Sequence, residues 1–374
     1  MGTTPDVLVI GGGIIGLTSA YYLARAGLAV EVVDRAEFGR EASWAGAGII
    51  PPGDPARAAT PIDQMRAIGS TQFPELSAEL REATGIDNGY VRCGGIEFLT
   101  PDDLYAVDLW RAEGIHFQQC EGAVAPRVRT PDGTVAYRLD DLAQVRNPRH
   151  LRALVAACQK VGVKLVPHTP VAAWERTDSR LHGVRTATGE VKRAGTYLVA
   201  SGAWSECLLE PLGCRPGICP IRGQIVLFHP PAPLFTRVLM AGKRYLVPRP
   251  DGRVLAGSTE EPEAGFEKGN TPEAVHELTE FATGLVPGLK TADIETTWSG
   301  LRPGSPDGMP FVGTIPDYPN VLAAVGHARA GVQLSIGTAL AIRDLVTGTP
   351  PMIPLEAFRP DRVPDPAVRP TFRS

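Results

Sequence analysis

Short apolar runs and one helical pattern alternate through the first 34 residues of the chain. Residues 7–10 (VLVI) form an apolar run of the kind that a buried parallel strand shows. Residues 14–26 repeat apolar side chains at helical spacing, and Gly27 stands where a helix commonly ends. Residues 28–33 predict a second strand that ends at Asp34. The pattern therefore predicts a β-α-β unit.

The rest of the chain contains further patterns of helices and parallel strands, together with one block whose pattern indicates antiparallel strands. Residues 223–258 alternate apolar and polar positions and contain turn dipeptides at 230–231 and 251–252, which predicts an antiparallel sheet. We further predict helices at 149–161, 272–285 and 332–346, strands at 164–166, 197–200 and 321–325, and a hairpin that turns at Gly189 between 184–188 and 190–194. Because the parallel-type pieces lie at the start, middle and end of the chain, we expect two interleaved domains.

Composition and charge argue against several classes of protein. The net charge is −4, from 37 basic and 41 acidic side chains without a block of one sign, so nucleic acid is not an expected partner. The six cysteines form no C-x-x-C pair, which predicts no metal site, and scattered thiols fit a reducing cytosol. No apolar stretch reaches the ~20 residues of a membrane helix. We expect a complete, cytoplasmic protein without a membrane partner.

The turn after the first strand carries a nucleotide-binding fingerprint. Residues 11–16 (GGGIIG) match G-x-G-x-x-G, follow a strand, open a helix and precede Asp34 at the end of the next strand. Gly11 allows the tight turn, Gly13 lets the backbone approach the phosphates, and Gly16 lets helix and strand pack closely. The helix N-terminus favours an anion by roughly 0.3–1 kcal/mol. Asp34 would accept hydrogen bonds from ribose hydroxyls, so we predict a bound dinucleotide.

Three features favour FAD over NAD as that dinucleotide. The sequence has one such fingerprint, so no second nucleotide is expected to reduce the flavin. Residues 40–50 are rich in small side chains, which suits a backbone that runs against a flat ring system. The strand–glycine–helix unit at 321–346 could bring a second helix N-terminus to the cofactor, where it would stabilise an anionic reduced flavin. An NAD-dependent dehydrogenase is the disfavoured alternative.

Five ordered segments carry a resemblance to a known family: 11–16, 41–49 (EASWAGAGI), 200–205 (ASGAWS), 300–304 (GLRPG) and 326–331 (GHARAG). The chain resembles the glycine oxidase branch of the D-amino-acid oxidase and sarcosine oxidase family of FAD-dependent oxidoreductases. The resemblance implies an FAD-binding domain built from separated stretches, an antiparallel substrate domain, and oxidation of an amine next to a carboxylate.

The resulting fold class is α/β with mixed α+β character: a Rossmann-like FAD-binding domain with an interleaved antiparallel-sheet substrate domain. We assign 1–85, 145–215 and 297–350 to the first domain, 86–144 and 216–296 to the second, and the proline-rich residues 351–374 to a C-terminal surface tail.

Fingerprint and resemblance together predict a set of cofactor contacts. They are Gly11, Gly13, Ile14, Ile15, Gly16, Asp34, Arg35, Ala42, Ser43, Ala47, Gly48, Ile49, Val171, Gly202, His327, Ala328, Arg329, Ala330, Gly331, Val332 and Gln333. Residues 305–309, which follow Arg302, contain no cysteine that could attach a flavin, so we predict non-covalent FAD.

Arg302 is the predicted clamp for the substrate carboxylate, because guanidinium and carboxylate form a two-pronged, charge-assisted pair. The resemblance implies that Tyr245 adds a hydroxyl to the same carboxylate, where the alternative is packing within a strand. It also implies that Arg329 faces the substrate or the flavin edge, where the alternative is stabilisation of its own loop.

Two positions depart from related enzymes, which tend to carry methionines there: Ile49 and Glu260. A carboxylate at 260 would favour a cationic or polar extension on the substrate. Alternatively, Glu260 points to solvent at the end of a strand. Either way, glycine itself is in doubt as the preferred substrate.

The implied reaction is hydride transfer from the substrate Cα to flavin N5, followed by imine hydrolysis and reoxidation by dioxygen, which yields hydrogen peroxide. No acid or base is assigned, and His327 is expected to make a loop hydrogen bond. The expected partners are glycine or a related small amino acid or N-substituted glycine, dioxygen, and further copies of the chain in a homo-oligomer. Two alternatives remain: a D-amino-acid or proline-type dehydrogenase that passes electrons to a quinone or carrier, and a non-catalytic flavin-binding scaffold.

Overall fold

The computed structural model describes residues 4–122, 124–177 and 180–365. The strands are β1 (Val7–Ile10), β2 (Val30–Val33), β3 (Ile49–Ile50), β4 (Gly95–Leu99), β5 (Gln118–Gln119), β6 (Val135–Leu139), β7 (Ala143–Gln144), β8 (Lys164–Val166), β9 (Val171–Thr177), β10 (Arg180–Thr186), β11 (Val191–Lys192), β12 (Thr196–Val199), β13 (Cys219–His229), β14 (Val238–Ala241), β15 (Arg244–Pro248), β16 (Val254–Gly257), β17 (Asp293–Gly304), β18 (Phe311–Ile315) and β19 (Tyr318–Val325). The helices are α1 (Ile14–Arg25), α2 (Ala42–Ala45), α3 (Pro61–Thr84), α4 (Tyr105–Ala112), α5 (Asn147–Lys160), α6 (Ser205–Leu209), α7 (Pro272–Leu285) and α8 (Gly331–Thr347). Across the described ranges, none of the helices combines the length and the apolar character that a bilayer-crossing helix needs.

The first sheet has six strands in the order β18-β19-β12-β1-β2-β8. Its strands pair in parallel, except that β18 runs antiparallel to β19. The predicted β-α-β unit is confirmed, although β2 begins at Val30 because Ala29 turns its N–H to the Asp6 carboxylate at 2.8 Å. Strands β1 and β2 are buried along their whole length, as expected for a parallel sheet with covered faces.

The second sheet has eight strands in the order β17-β13-β16-β15-β14-β4-β6-β5. The antiparallel block predicted at 223–258 lies inside it as β13 to β16, and β4 pairs in parallel with β14 while the other pairs are antiparallel. Helix α7 covers one face with Leu278 and Ala282, which join the apolar core of this sheet. Strands from distant parts of the chain share each sheet, so the mixed fold with interleaved parts is confirmed.

The predicted hairpin around Gly189 is only part of a three-stranded sheet in the order β11-β10-β9. Strand β11 covers two residues, Val191–Lys192, and is much shorter than predicted. The longer partner of β10 is β9, which the pattern did not indicate because every residue of β9 is exposed or half-buried.

Helix α3 is the largest element that the sequence pattern did not indicate. Pro74 and Gly69 interrupt its helical pattern, although Pro74 stays inside the helix. Its ends do carry signals: the Thr60 hydroxyl accepts the Asp63 N–H at 3.3 Å, and Gly85 ends the helix with a φ of 72°. Gly69 allows close packing on α8, since a Cβ there would lie 1.8 Å from the Gln333 carbonyl oxygen.

The expectation of a surface tail at 351–374 is wrong for its first part. Phe358 is 0% exposed and belongs to the core of the six-stranded sheet, which Ile353 also joins. Arg362 donates two hydrogen bonds to the buried carboxylate of Asp307, so this segment is held by charge as well as by burial. The proline-rich composition suggested a loose tail, but burial of the aromatic side chain of Phe358 stabilises this segment against the core. Residues 366–374 of the predicted tail lie outside the described residues.

Candidate active site

Four strands of the six-stranded sheet end at one elongated cleft. The loops after β1, β2, β12 and β19 lie along it, because parallel strands bring their carboxyl ends to one edge of a sheet. Of the predicted cofactor residues, those that line the cleft are Gly11, Gly13, Ile14, Ile15, Asp34, Arg35, Ala42, Ser43, Val171, Gly202, His327, Ala328, Arg329, Gly331 and Val332. Those that line an adjoining small cavity are Ala42, Ala47, Gly48, Ile49, Arg329, Ala330, Val332 and Gln333, of which Ala42, Arg329 and Val332 also line the cleft.

The glycine-rich turn has the geometry that its sequence predicts. Gly11 has a φ of 112°, and a Cβ there would lie 2.4 Å from the Ala200 carbonyl oxygen. Gly16 stands behind the turn, where a Cβ would lie 1.9 Å from the Gly11 carbonyl oxygen. Its predicted role in close packing of helix on strand is therefore confirmed. Gly13 has no side chain that could cap α1, and the Ile14 N–H donates to the Ser43 hydroxyl at 2.9 Å. The N-terminus of α1 lies at the cleft, where its dipole favours an anion.

Asp34 is fixed by the backbone of the same turn. Its carboxylate accepts the Gly12 N–H at 2.7 Å and the Ala36 N–H at 2.9 Å, one on each oxygen. Burial nevertheless raises the pKa of Asp34, and the two hydrogen bonds oppose that shift. Each carboxylate oxygen keeps a further lone pair, so the cleft-lining side chain can still accept ribose hydroxyls.

A half-buried ring flanks the cleft beside Asp34. The Arg35 guanidinium lies 3.5 Å from the centroid of the Trp204 ring and donates to the Glu41 carboxylate at 2.8 Å. All three side chains line the cleft. Trp204 occurs in one of the five motifs but had no predicted role, because ring stacking on a distant arginine leaves no local pattern.

A second helix N-terminus, that of α8, reaches the same cleft from the far end of the chain. No side chain of Ala330 caps it, and the preceding loop is held to β17 by the Ala328 N–H, which donates to the Pro303 carbonyl at 3.0 Å. His327 is buried and bonds to the Thr338 hydroxyl at 3.0 Å, so the expected hydrogen bond is confirmed. Burial lowers the pKa of His327 to about 3, which leaves the ring neutral at physiological pH.

The small-residue segment forms a wall between the cleft and the small cavity. A Cβ on Gly48 would lie 2.1 Å from the Val145 carbonyl oxygen, and a Cβ on Gly300 would lie 2.5 Å from the Ala45 methyl group. The buried Arg249 holds this wall from behind by donating to the Ala47 carbonyl at 2.8 Å. Sequence reasoning missed Arg249, because its bond partners lie about a hundred or more residues away.

These observations fit FAD. Two helix N-termini meet on one cleft, which suits the pyrophosphate and a negatively charged flavin edge. Asp34 lies at the end of β2, where it suits a ribose. Glycines and alanines supply a wall without projecting side chains, which suits a flat ring.

The adjoining cavity encloses about 70 Å³ and contains the predicted substrate residues Tyr245, Arg302 and Arg329. Arg302 donates to the Thr259 carbonyl at 3.0 Å and to the Ser258 hydroxyl at 2.6 Å, and Tyr245 lines the same cavity. Burial lowers the pKa of Arg302, yet a guanidinium stays charged at physiological pH. Arg302 and Tyr245 are thus brought together as predicted.

Two glycines make room for this pair of side chains. A Cβ on Gly223 would lie 2.3 Å from both terminal nitrogens of Arg302, and a Cβ on Gly257 would lie 2.8 Å from the Tyr245 hydroxyl. Neither glycine has a predicted role, although a glycine inside a strand pattern signals a close approach of another group. That signal could have identified Gly223 in β13.

Glu260 has an environment that neither expectation described. Its Oε1 accepts from Arg329 Nη1 at 2.5 Å and its Oε2 accepts from Lys243 Nζ at 2.5 Å. Arg329 also donates to the Lys243 carbonyl at 2.9 Å. These two cations lower the pKa of Glu260 against the opposing effect of its burial. The carboxylate is therefore ionised and paired beside the cavity, which it does not itself line.

The fold and this site define a flavin-dependent oxidoreductase. The model of the FAD dependent oxidoreductase (DAO) family matches residues 6–345, and the chain belongs to that family. It is an FAD-dependent enzyme of the amine and amino-acid oxidoreductase class, as the five motifs predicted.

Relatives in sequence and structure agree on the glycine oxidase branch. The chain is 36% identical to a glycine oxidase of Pseudomonas aeruginosa over 95% of this chain and 98% of that protein. It is 30% identical to the glycine oxidase of Geobacillus kaustophilus, whose crystal structure superposes with a TM-score of 0.89 over 97% of this chain and 100% of that one. An iminodiacetate oxidase from Chelativorans sp. BNC1 is 26% identical, with a TM-score of 0.84 over 95% and 98% of the two chains.

Proposed function

We propose that the enzyme oxidises glycine or a small N-substituted glycine, with dioxygen as the final electron acceptor and hydrogen peroxide as a product. The environment of Arg302 carries the proposal. Its hydrogen-bond partners within the described residues are neutral oxygen atoms, so its positive charge is available to a substrate carboxylate. The Tyr245 hydroxyl lies beside it on the same cavity.

The size and lining of the cavity favour a small amino acid. A volume of about 70 Å³ suits a small amino acid, and Ile49, Ile225 and Val332 make part of the cavity wall apolar. Glycine oxidases and an iminodiacetate oxidase among the similar proteins act on molecules that share the glycine unit. Their shared chemistry supports a substrate with an amine next to a carboxylate.

The residues of this chain act chiefly by positioning. FAD, when bound, supplies the hydride acceptor. Arg302 and Tyr245 hold the carboxylate at two points, which fixes the Cα relative to the wall formed by Ala47 and Gly48. His327 stays neutral and bonded to Thr338, so it is not an available acid or base. The substrate amine therefore loses its proton to solvent on binding.

Anaerobic reduction of the flavin tests the function directly. The purified protein should be yellow and should bleach with glycine, sarcosine or another N-substituted glycine. Peroxide formation under air separates an oxidase from a dehydrogenase that passes electrons to a quinone or carrier. If none of a panel of glycine, sarcosine, D-alanine, D-proline and N-substituted glycines bleaches the flavin, a non-catalytic scaffold becomes the better interpretation.

Arg302→Met tests the clamp, since methionine keeps the length of the side chain and removes its charge. We expect a KM at least about tenfold higher, because a charge-assisted hydrogen bond contributes about 1.5–3 kcal/mol. Arg253→Met is the matched control, because Arg253 directly precedes β16 of the same sheet but pairs with Glu295 outside both cavities. An unchanged KM in Arg302→Met would overturn the clamp.

A further inference from the structure

The small cavity has two charged side chains in its lining, Arg302 and Arg329, and both are cations. A carboxylate held by Arg302 and Tyr245 therefore leaves the positive charge of Arg329 facing the remainder of the cavity. The other lining groups are backbone, alkyl groups, the Tyr245 hydroxyl and the Gln333 amide. Any second anionic group of a bound substrate has Arg329 as its charged partner.

Arg329 can release its present partner at low electrostatic cost. Glu260 uses one oxygen for Arg329 and the other for Lys243, so it stays paired with Lys243 when Arg329 turns to a substrate. A buried carboxylate left without a cation would make that exchange unfavourable. Lys243 is 71% exposed and Arg329 only 17% exposed, so the lysine lies on the solvent side of the cluster.

The charges around the cavity favour an anion over a cation. Three basic side chains, Arg302, Arg329 and Lys243, stand against the single carboxylate of Glu260. The neighbouring Glu261 is already paired with Arg222 at 2.6 Å, and Arg244 is paired with Glu277 at 2.8 Å. A substrate with one carboxylate offsets one positive charge and leaves a second one without compensation.

We propose that Arg329, supported by Lys243 and Glu260, forms a second anion subsite that selects glycines whose nitrogen carries an arm ending in a carboxylate. The inference rests on the proposed function, because it names the class of substrate for that site. Oxidation of such a substrate removes two electrons and two protons from its C–N unit, and dioxygen takes them up as hydrogen peroxide. Water then splits the imine into glyoxylate and the amine that carried the arm, which is glycine for iminodiacetate.

Three N-substituted glycines with arms of similar size test the subsite by kcat/KM. Iminodiacetate has an anionic arm, N-ethylglycine a neutral arm, and N-(2-aminoethyl)glycine a cationic arm. We expect the order anionic, neutral, cationic, with about a tenfold step between the first two. Equal values for the first two, or a preference for the cationic arm, would overturn the subsite and leave the oxidation of glycine standing.

Two substitutions should move the preference for the anionic arm in opposite directions. Glu260→Gln frees Arg329 and should raise the ratio of kcat/KM for iminodiacetate over N-ethylglycine by about tenfold. Lys243→Met leaves Glu260 with Arg329 alone and should lower the ratio. Glu277→Gln removes the same charge from helix α7, where Glu277 pairs with Arg244 outside both cavities, and should leave the ratio unchanged. A ratio that does not respond to Glu260→Gln or Lys243→Met refutes the subsite.

A binding measurement separates failure of the subsite from failure of the oxidation. Diglycolate and ethoxyacetate replace the nitrogen with oxygen, so they report binding through the absorption spectrum of the flavin without amine oxidation. We expect diglycolate to bind the holoenzyme more tightly, and Glu260→Gln to widen the difference. Equal dissociation constants for both acids contradict the subsite even if no amine reduces the flavin.

Discussion

Gly223→Ala tests whether the backbone beneath Arg302 positions the substrate clamp. The added methyl group would lie 2.3 Å from Nη1 and Nη2 of Arg302, so the guanidinium must move. Movement breaks its bonds to the Thr259 carbonyl and the Ser258 hydroxyl, which measure 3.0 and 2.6 Å. The substrate carboxylate then loses one or both of its charge-assisted bonds.

A loss of about 1.5–3 kcal/mol corresponds to roughly 10- to 150-fold in kcat/KM. We expect this loss for glycine and for N-substituted glycines in air-saturated buffer, measured by peroxide formation. The content of FAD should stay normal, because Gly223 lies on the small cavity and does not line the larger cleft. Thermal unfolding should shift to a lower temperature as well, since the displaced guanidinium loses its two hydrogen bonds to Thr259 and Ser258.

Gly284→Ala is the matched control for Gly223→Ala. It adds the same methyl group in α7, where nothing lies within 4 Å of the new Cβ. We expect unchanged kinetics and a stability equal to or up to about 1 kcal/mol above that of the unmodified protein. A value of kcat/KM for Gly223→Ala within twofold of that for Gly284→Ala would refute the reasoning.

Three further predictions concern the cofactor and stability. Gly16→Val should abolish retention of FAD on gel filtration, because even a Cβ would lie 1.9 Å from the Gly11 carbonyl oxygen; a yellow variant contradicts this. Phe358→Ala should lower the free energy of unfolding, measured in urea, by about 3–5 kcal/mol. A change below about 1 kcal/mol would contradict the burial of Phe358 in the core. His150 is fully buried with a pKa lowered to about 3 from 6.5, so the unfolded chain binds its proton first as pH falls. Stability should therefore fall below pH 6.5 by up to about 1.4 kcal/mol per pH unit for this group, and His150→Gln should reduce that slope; an equal slope contradicts the assignment.

Much of the cofactor site could be predicted from local sequence. Three residues each follow the end of a strand and are of the type that their position requires. They are Gly11 after β1, Asp34 after β2 and Gly326 after β19. Parallel strands gather such ends at one edge, so local signals suffice to place these residues together. Homo-oligomer formation and the exact domain boundaries stay predictions.

The neighbours of the substrate residues could not be predicted in the same way. Gly223 and Ser258 meet Arg302 only because β13 pairs with β17 on one side and with β16 on the other. Register between strands depends on which faces are buried together, and no single strand carries that information. Helix α3 was missed for a related reason: tertiary packing on α8 stabilises the helix despite the low helix propensity of Pro74 and Gly69.

By itself, the sequence determined that this chain binds a dinucleotide and predicted that Arg302 clamps a carboxylate, because each depends on a few residues at fixed local spacing. Only the tertiary structure decided the charge around the substrate. Glu260 suggested a preference for a cationic substrate when considered alone, yet Arg329 and Lys243 neutralise it from segments about 70 and 17 residues away. Coulomb energy depends on the distance between charges in space and not along the chain. The sign of the net charge around the cavity is therefore defined only when these segments meet.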